Sequence, residues 1–186
     1  MGKPDIIYED NDIIICYKPA GIATQTRRIG QQDMESFIRN YRAAKNEPPY
    51  VGIVHRLDQP VEGVMVFAKN QKAAASLSRQ IKEHTTEKYY RAASRGQGVS
   101  GAAVEDEEAW HTLTDYISFD KRTNTSKITS EKDRLAKKAV LQYRVISVTP
   151  DRDSSQNECI RTEFDIKLLT GRHHQIRLQL ANIGYP

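Results

Sequence analysis

The side chains best suited to chemistry stand in one short stretch, Val54-His55-Arg56-Leu57-Asp58, which runs into Gln59-Pro60-Val61-Glu62-Gly63 and then the apolar Val64-Met65-Val66-Phe67-Ala68. The pattern reads as a strand, a tight polar loop carrying His55, Arg56 and Asp58, and a turn at Pro60 and Gly63 into a second strand. A carboxylate beside a guanidinium at a strand end suits catalysis, because the positive neighbour keeps the acid ionised and the strand fixes its direction. The same residue types also build structural ion pairs. Taken alone, the stretch fits a structural Arg56–Asp58 pair in a turn better than a catalytic one. The five histidines, His55, His84, His111, His173 and His174, show no recognised metal spacing, so no metal is expected. His173 and His174 are expected on different sides of a helix.

The elements around this loop mix helix and strand at first and become mostly strand later. Asp5 to Tyr8 and Asp12 to Tyr17 read as two short strands, and Lys18-Pro19-Ala20-Gly21 ends the second. From Asp33, a candidate N-cap, Met34, Phe37, Ile38 and Tyr41 recur at helical spacing until Pro48-Pro49. A second helix is expected from Asn70 to about Glu83, with Ala73, Leu77 and Ile81 along one stripe. Thr86 to Ser94 is strand-like, and Arg95 to Gly101, with three glycines, is a loop. Trp110 to Phe119, Ala139 to Val148 and Cys159 to Leu169 read as strands. In the last, Ile160, Thr162, Phe164, Ile166 and Leu168 alternate with charged residues. His173 to Gly184 then reads as a helix with Ile176, Leu180 and Ile183 on its buried stripe. The fold class expected is α+β with a largely antiparallel sheet.

At 186 residues the chain is long enough for one substantial core, and a single domain over 1–186 is expected. A mean hydropathy of -0.66 describes a polar surface, and no apolar run approaches the ~20 residues of a membrane helix. With no signal-peptide pattern at the start, a cytoplasmic monomer is the expectation. The two cysteines, Cys16 and Cys159, lie in apolar runs and are expected to be buried free thiols rather than a disulfide or zinc site. The net charge of +4 permits nucleic-acid binding without demanding it. Its distribution is uneven: six acids and no Lys or Arg fall between Ser100 and Asp120, and eight bases against two acids between Lys121 and Arg144. On charge alone the basic stretch reads as a solvated hairpin sooner than as a binding face.

Four segments, in order, carry a resemblance. Glu9-Asp10 with Lys18-Pro19-Ala20-Gly21; His55-Arg56-Leu57-Asp58 with Gly63 and Val66-Phe67-Ala68-Lys69; Lys88-Tyr89-Tyr90-Arg91-Ala92; and Thr170-Gly171-Arg172-His173-His174-Gln175-Ile176-Arg177 are similar to the motifs of the RluA-type (RsuA/RluA superfamily) pseudouridine synthases. The resemblance spans nearly the whole chain. Two departures stand out. Glu62 occupies the place before the motif glycine where the family has a small hydroxyl residue, and the family continues beyond the Gly-x-Pro seen here as Gly184-Tyr185-Pro186, which implies a catalytic domain lacking its C-terminal end.

The resemblance implies that the protein isomerises uridine in structured RNA, a ribosomal or transfer RNA stem-loop, to pseudouridine, with no cofactor and no metal. The N1–C1′ bond breaks, the uracil turns, and C5 rejoins the sugar. Asp58 would be the carboxylate that meets the electron-poor sugar, as in glycoside hydrolysis. Arg177 would pair with it, and Tyr90 would stack on the uracil; from spacing alone Tyr90 reads as a core tyrosine. Such chemistry needs the base flipped out of its stack. Arg56 would fill the space left behind, with His55 supporting the loop and Lys88 and Arg172 also on the RNA-binding side. Asp58, Tyr90 and Arg177 would then converge on one basic cleft. Two other readings compete: an RNA-binding module that keeps the fold without turnover, and an unrelated phosphate-handling enzyme.

Overall fold

Alternation along the second strand sets the architecture of the first part of the chain. In the computed structural model, which describes residues 4–26, 28, 30–95, 109–152 and 158–186, Ile14, Cys16 and Lys18 of β2 (Ile13–Lys18) all point inward and are fully buried. The chain divides into two compact units, Met1–Thr86 and Glu87–Pro186.

In the first unit β2 is flanked by β1 (Asp5–Glu9) and β4 (Gly63–Ala68), and β3 (Gly52–Ile53) completes a four-stranded antiparallel sheet in the order β1-β2-β4-β3. Met65, Phe67 and Ala68 join Ile14 and Cys16 inside. Helix α1 (Met34–Ala44) contributes Met34 and Ile38 to the core. Its expected N-cap is borne out, since Asp33 accepts from the Ser36 amide at 2.7 Å and, with its other oxygen, from the Thr26 amide at 2.6 Å. The helix ends sooner than Pro48-Pro49 would require. Asn46 turns into the left-handed region (φ 57°), and the Glu47 amide returns to the Arg42 carbonyl, so the stop is a local cap. Helix α2 (Gln71–Lys82) starts where expected, capped by Asn70 on the Ala73 amide at 2.8 Å. Gly52 lets β3 approach closely, because a methyl there would stand 3.0 Å from the Cβ atoms of both Ala68 and Ala74.

The second unit is a five-stranded antiparallel sheet, β5-β9-β8-β6-β7, formed by β5 (Tyr89–Arg95), β6 (His111–Asp120), β7 (Thr125–Thr129), β8 (Lys137–Arg152) and β9 (Glu158–Leu168), with helix α3 (Gln175–Asn182) packed on it. Its core is Leu141, Tyr143, Val145, Phe164, Ile166, Leu180 and Tyr185. The alternation read along β9 holds, with Thr162, Phe164 and Ile166 buried. Strand β8 runs four residues past the expected Val148. Its register with β9 shifts between Val145 and Ser147, and beyond Tyr143 it no longer pairs with β6, so Pro150 sits where β8 has a strand neighbour on one side only. Strand β7 has the polar sequence Thr-Ser-Lys-Ile-Thr and no alternation to betray it. The basic residues Lys121, Arg122, Lys132, Arg134, Lys137 and Lys138 are exposed on this hairpin, the loop after it and the start of β8, as the solvated reading expects, whereas Glu105 to Glu108 and most of the glycine-rich loop lie outside the described residues.

Cys16 is buried, but Cys159 is only half-buried. It pairs with Asp151 on the stretch of β8 that β6 does not reach. Among the described residues no helix is long and apolar enough to cross a membrane. The α+β class with antiparallel sheets is thus observed, every pairing between the named strands of the described residues being antiparallel.

Candidate active site

Between β3 and β4 the chain needs a loop whose backbone is held without regular pairing, and neighbouring groups hold it from three directions. Leu57 is its inward anchor, 9 % exposed, while Arg56 and Asp58 on either side face solvent. The hydroxyl of Thr24, itself 2 % exposed, donates to the Leu57 carbonyl at 2.8 Å and accepts from the Leu57 amide at 3.1 Å. One side chain thus mimics a strand partner for the residue next to Asp58.

On the far side of Asp58, the Gln59 carbonyl accepts from the Gly21 amide at 2.8 Å and from the Lys18 ammonium at 3.2 Å. Gln59 in turn donates from Nε2 to the Gly21 carbonyl at 3.0 Å. The Val61 amide donates to the carbonyl of Asp58 itself at 3.0 Å, closing the turn. Upstream, His55 Nε2 accepts from the Val66 amide at 3.0 Å. That nitrogen therefore carries a lone pair, and the imidazole ties the loop to β4. Gly63 closes the loop at φ 147°, a conformation that side chains resist.

Lys18 belongs to the Lys18-Pro19-Ala20-Gly21 segment but was given no role by the sequence. Its ammonium is wholly buried and donates to the carbonyls of Pro19 (3.1 Å), Ile22 (2.5 Å) and Gln59 (3.2 Å). Burial pushes its pKa down, and the negative charges of Asp58 and Glu62 oppose that shift. The loop carboxylate therefore lies in the field of a fixed buried cation. The signal was present: positions 14, 16 and 18 share one face of a strand whose other two members are Ile and Cys. Glu62, the departure from the family pattern, accepts from the Tyr17 hydroxyl at 2.9 Å, which raises the tyrosine's pKa.

The remaining sequence-nominated residues belong to the second unit. Tyr90 pairs with Ile166 across β5 and β9, its half-buried ring resting on the core cluster. Arg177 is exposed on α3. That helix is oriented by a chain of polar contacts. Thr170 Oγ1 donates to Gln175 Oε1 (2.8 Å), Gln175 Nε2 to Gln179 Oε1 (2.9 Å), and Gln179 Nε2 to Asp115 (2.8 Å), whose other oxygen accepts from Asn182 (3.1 Å). Leu180 is buried and Ile176 and Ile183 pack on the core as expected, but two buried glutamines share the stripe with them.

The helix begins at Gln175, two residues later than expected. His174 takes a left-handed conformation (φ 55°), and the two histidine rings stack at 3.8 Å instead of pointing apart. The physical reason is the Gly171-Arg172 turn: the Arg172 amide donates to Gln175 Oε1 at 2.9 Å and the Gln175 amide returns to the Arg172 carbonyl at 3.2 Å, so the turn caps the helix in place of the histidines. His173 Nδ1 lies 2.8 Å from the Ser126 hydroxyl and its ring 4.6 Å from Phe119. Lys88 and Arg172 are near neighbours at one end of the sheet, and each is half-buried.

Comparison with known proteins bears directly on this arrangement. The model of the family described as RNA pseudouridylate synthase matches residues 12–182, a span that includes the pinned loop, β5 and α3. The chain belongs to that family. It is 32% identical over 187 residues to the uncharacterized RNA pseudouridine synthase YhcT of Bacillus subtilis, covering 100% of this chain and 56% of that protein. It is 30% identical over 184 residues to the ribosomal large subunit pseudouridine synthase D of Escherichia coli, covering 98% of this chain and 50% of that one. The chain spans about half the length of these curated relatives. Two solved structures share the fold at a TM-score of 0.70: the human RNA pseudouridylate synthase domain containing 4, 19% identical over 96% of this chain and 64% of that one, and domain containing 1, 23% identical over 99% and 66%.

Proposed function

We propose that this chain of the RNA pseudouridylate synthase family isomerises uridine to pseudouridine in RNA, with Asp58 as the reacting carboxylate. The observation that carries the reading is the loop itself. Within the matched span, an exposed aspartate stands on a backbone tied at Leu57, Asp58 and Gln59, which is the rigidity a reacting group requires. Ribosomal RNA is the favoured substrate, because a relative such as the Escherichia coli protein is named for the large ribosomal subunit.

In this mechanism the N1–C1′ bond of the target uridine breaks and the uracil leaves with the bonding electrons. The carboxylate of Asp58 answers the electron-poor sugar, by bonding to C1′ or by taking the C2′ proton. The uracil turns and C5 bonds to C1′ as the Asp58–C1′ bond breaks or, on the other route, as the C2′ proton is returned; the C5 proton then passes to solvent and N1 takes one up. Atoms and electrons balance without cofactor or metal. The proposal assigns Arg177 to pairing with Asp58, Tyr90 to stacking on the uracil, and Arg56 to the space vacated when the base is flipped out.

The test uses RNA tritiated at uridine C5. The intact protein is expected to release tritium to water from ribosomal RNA, and Asp58→Asn to abolish release while still binding the RNA. Release undiminished in Asp58→Asn would remove Asp58 from the mechanism, and no release by the intact protein from ribosomal or transfer RNA would remove the activity.

A further inference from the structure

Among the described residues, no carboxylate pairs with two neighbouring cations of the second unit, Lys88 and Arg172. Lys88 sits just before β5, opposite Leu168 at the end of β9, and its carbonyl accepts from the Leu168 amide at 2.9 Å. Gly171 follows three residues beyond Leu168, and a methyl on it would stand 3.7 Å from the Lys88 ammonium. Glycine therefore leaves that flank of the ammonium uncovered. Arg172 comes next, its Nε donating to the Lys138 carbonyl at 2.9 Å at the start of β8. This single bond fixes the guanidinium plane and leaves both Nη groups without a protein acceptor among the described residues.

The start of β5, the end of β9 and the start of β8 thus lie at one end of the sheet, where Lys88 neighbours Arg172 and Arg172 reaches the Lys138 backbone. Three acids of this unit are engaged elsewhere. Asp115 is held by Gln179 and Asn182, Glu87 by Lys167 and Tyr89, and Asp165 by Arg91 and Arg144. Burial, and then repulsion from Arg172, push the Lys88 pKa down. Holding two like charges side by side and partly out of water is unfavourable unless an anion arrives between them. A planar guanidinium with free donors beside a point-charge ammonium matches one tetrahedral oxyanion.

We propose that Lys88 and Arg172 form a clamp over Gly171 for a single phosphate of the RNA backbone. This deepens the function proposed above and rests on it. The clamp reads no base. It fixes the register of the strand, because phosphate contacts position a nucleic acid and do not identify its sequence.

The test measures binding of a uridine-containing stem-loop RNA to the full chain at several salt concentrations, in the Asp58→Asn background so that no turnover intervenes. Lys88→Met and Arg172→Gln are each expected to weaken binding about tenfold near ~0.1 M salt, equally for stem-loops of different sequence, and to reduce the slope of log affinity against log salt by about 1. Lys88→Arg, which keeps the charge, should retain the wild-type slope. A wild-type slope and affinity in folded Lys88→Met, or in Arg172→Gln should the lysine variant not fold, overturns the clamp. So does competition by inorganic phosphate at the concentration of the RNA, which would make this a site for the free anion. Tritium release by the protein with Asp58 intact is scored separately. Its absence alongside the altered slopes would count against the proposed activity alone; its presence with unaltered slopes would count against the clamp alone.

Discussion

Replacing Thr24 by valine changes shape very little and removes both hydrogen bonds that hold Leu57. The hydroxyl lies 2.8 Å from the Leu57 carbonyl and 3.1 Å from its amide, and Thr24 and Leu57 are 2 % and 9 % exposed, so water cannot readily replace it. An unsatisfied buried donor or acceptor costs about 1–3 kcal/mol, and two of them with partial relaxation should cost about 2–4 kcal/mol. With a urea dependence of about 2 kcal/mol per molar, the unfolding midpoint should fall by about 1–2 M. Far-ultraviolet circular dichroism is the probe of choice, since α1 and α2 of the first unit supply most of the helix, whereas the single tryptophan, Trp110, reports on the second. Thr24→Ser keeps both hydrogen bonds, loses a methyl, and should cost about 1 kcal/mol or less. Because an ~1 Å shift of a reacting group can cost about 100-fold in rate, Thr24→Val should also slow tritium release on that order. A midpoint for Thr24→Val no lower than that of Thr24→Ser would refute the claim that this hydroxyl holds the loop.

Two further outcomes follow from ionisable groups. Hydrogen bonds from Lys45, then Lys69, then Tyr41 hold the Glu9 carboxyl down at about 2, against an ordinary 4.5. A folded pKa below the unfolded one means the folded state resists protonation, so this stabilisation is complete above about pH 4.5 and disappears as pH falls toward about 2. Glu9→Gln should be less stable at neutral pH and show a shallower decline across that window in urea titrations; an unchanged acid limb would exclude Glu9 as a source of it. Burial pushes the Cys16 thiol up to about 12, so iodoacetamide under native conditions near neutral pH should label half-buried Cys159 and leave Cys16 unmodified until the protein is unfolded, as read by peptide mass spectrometry. Labelling of both at similar rates would contradict the packing of β2.

Elements with a strong period or a cap were legible in the sequence. Asp33 announced α1, and the alternation of Thr162, Phe164 and Ile166 announced the β9 core face. What escaped was structure written in polar atoms. Strand β7 has no apolar period, and the start of α3 depends on a turn closed by Gln175, so His173 and His174 were assigned to a helix that begins after them. The candidate site divided in the same way. Asp58 could be nominated because its neighbours form a motif, but Thr24 and Lys18 act through the backbone of residues some distance away in sequence, and a hydroxyl or ammonium serving a carbonyl leaves no spacing to read. Lys18 alone carried a clue, as a lysine on the inward face of an apolar strand.

The polar chain along α3 has a consequence for engineering. Apolar helix faces tolerate small rotations, because one methyl contact substitutes for another. Gln175 and Gln179 do not allow this: turning the helix by one residue, about 100°, would separate each amide from its partner at once. The helix is keyed like a toothed shaft, and Arg177 points where the teeth permit. Replacing both glutamines with leucine would make the helix more hydrophobic and leave the direction of Arg177 no longer single-valued. A designer transplanting this segment must move its sockets on Val140, Thr170 and Asp115 along with it.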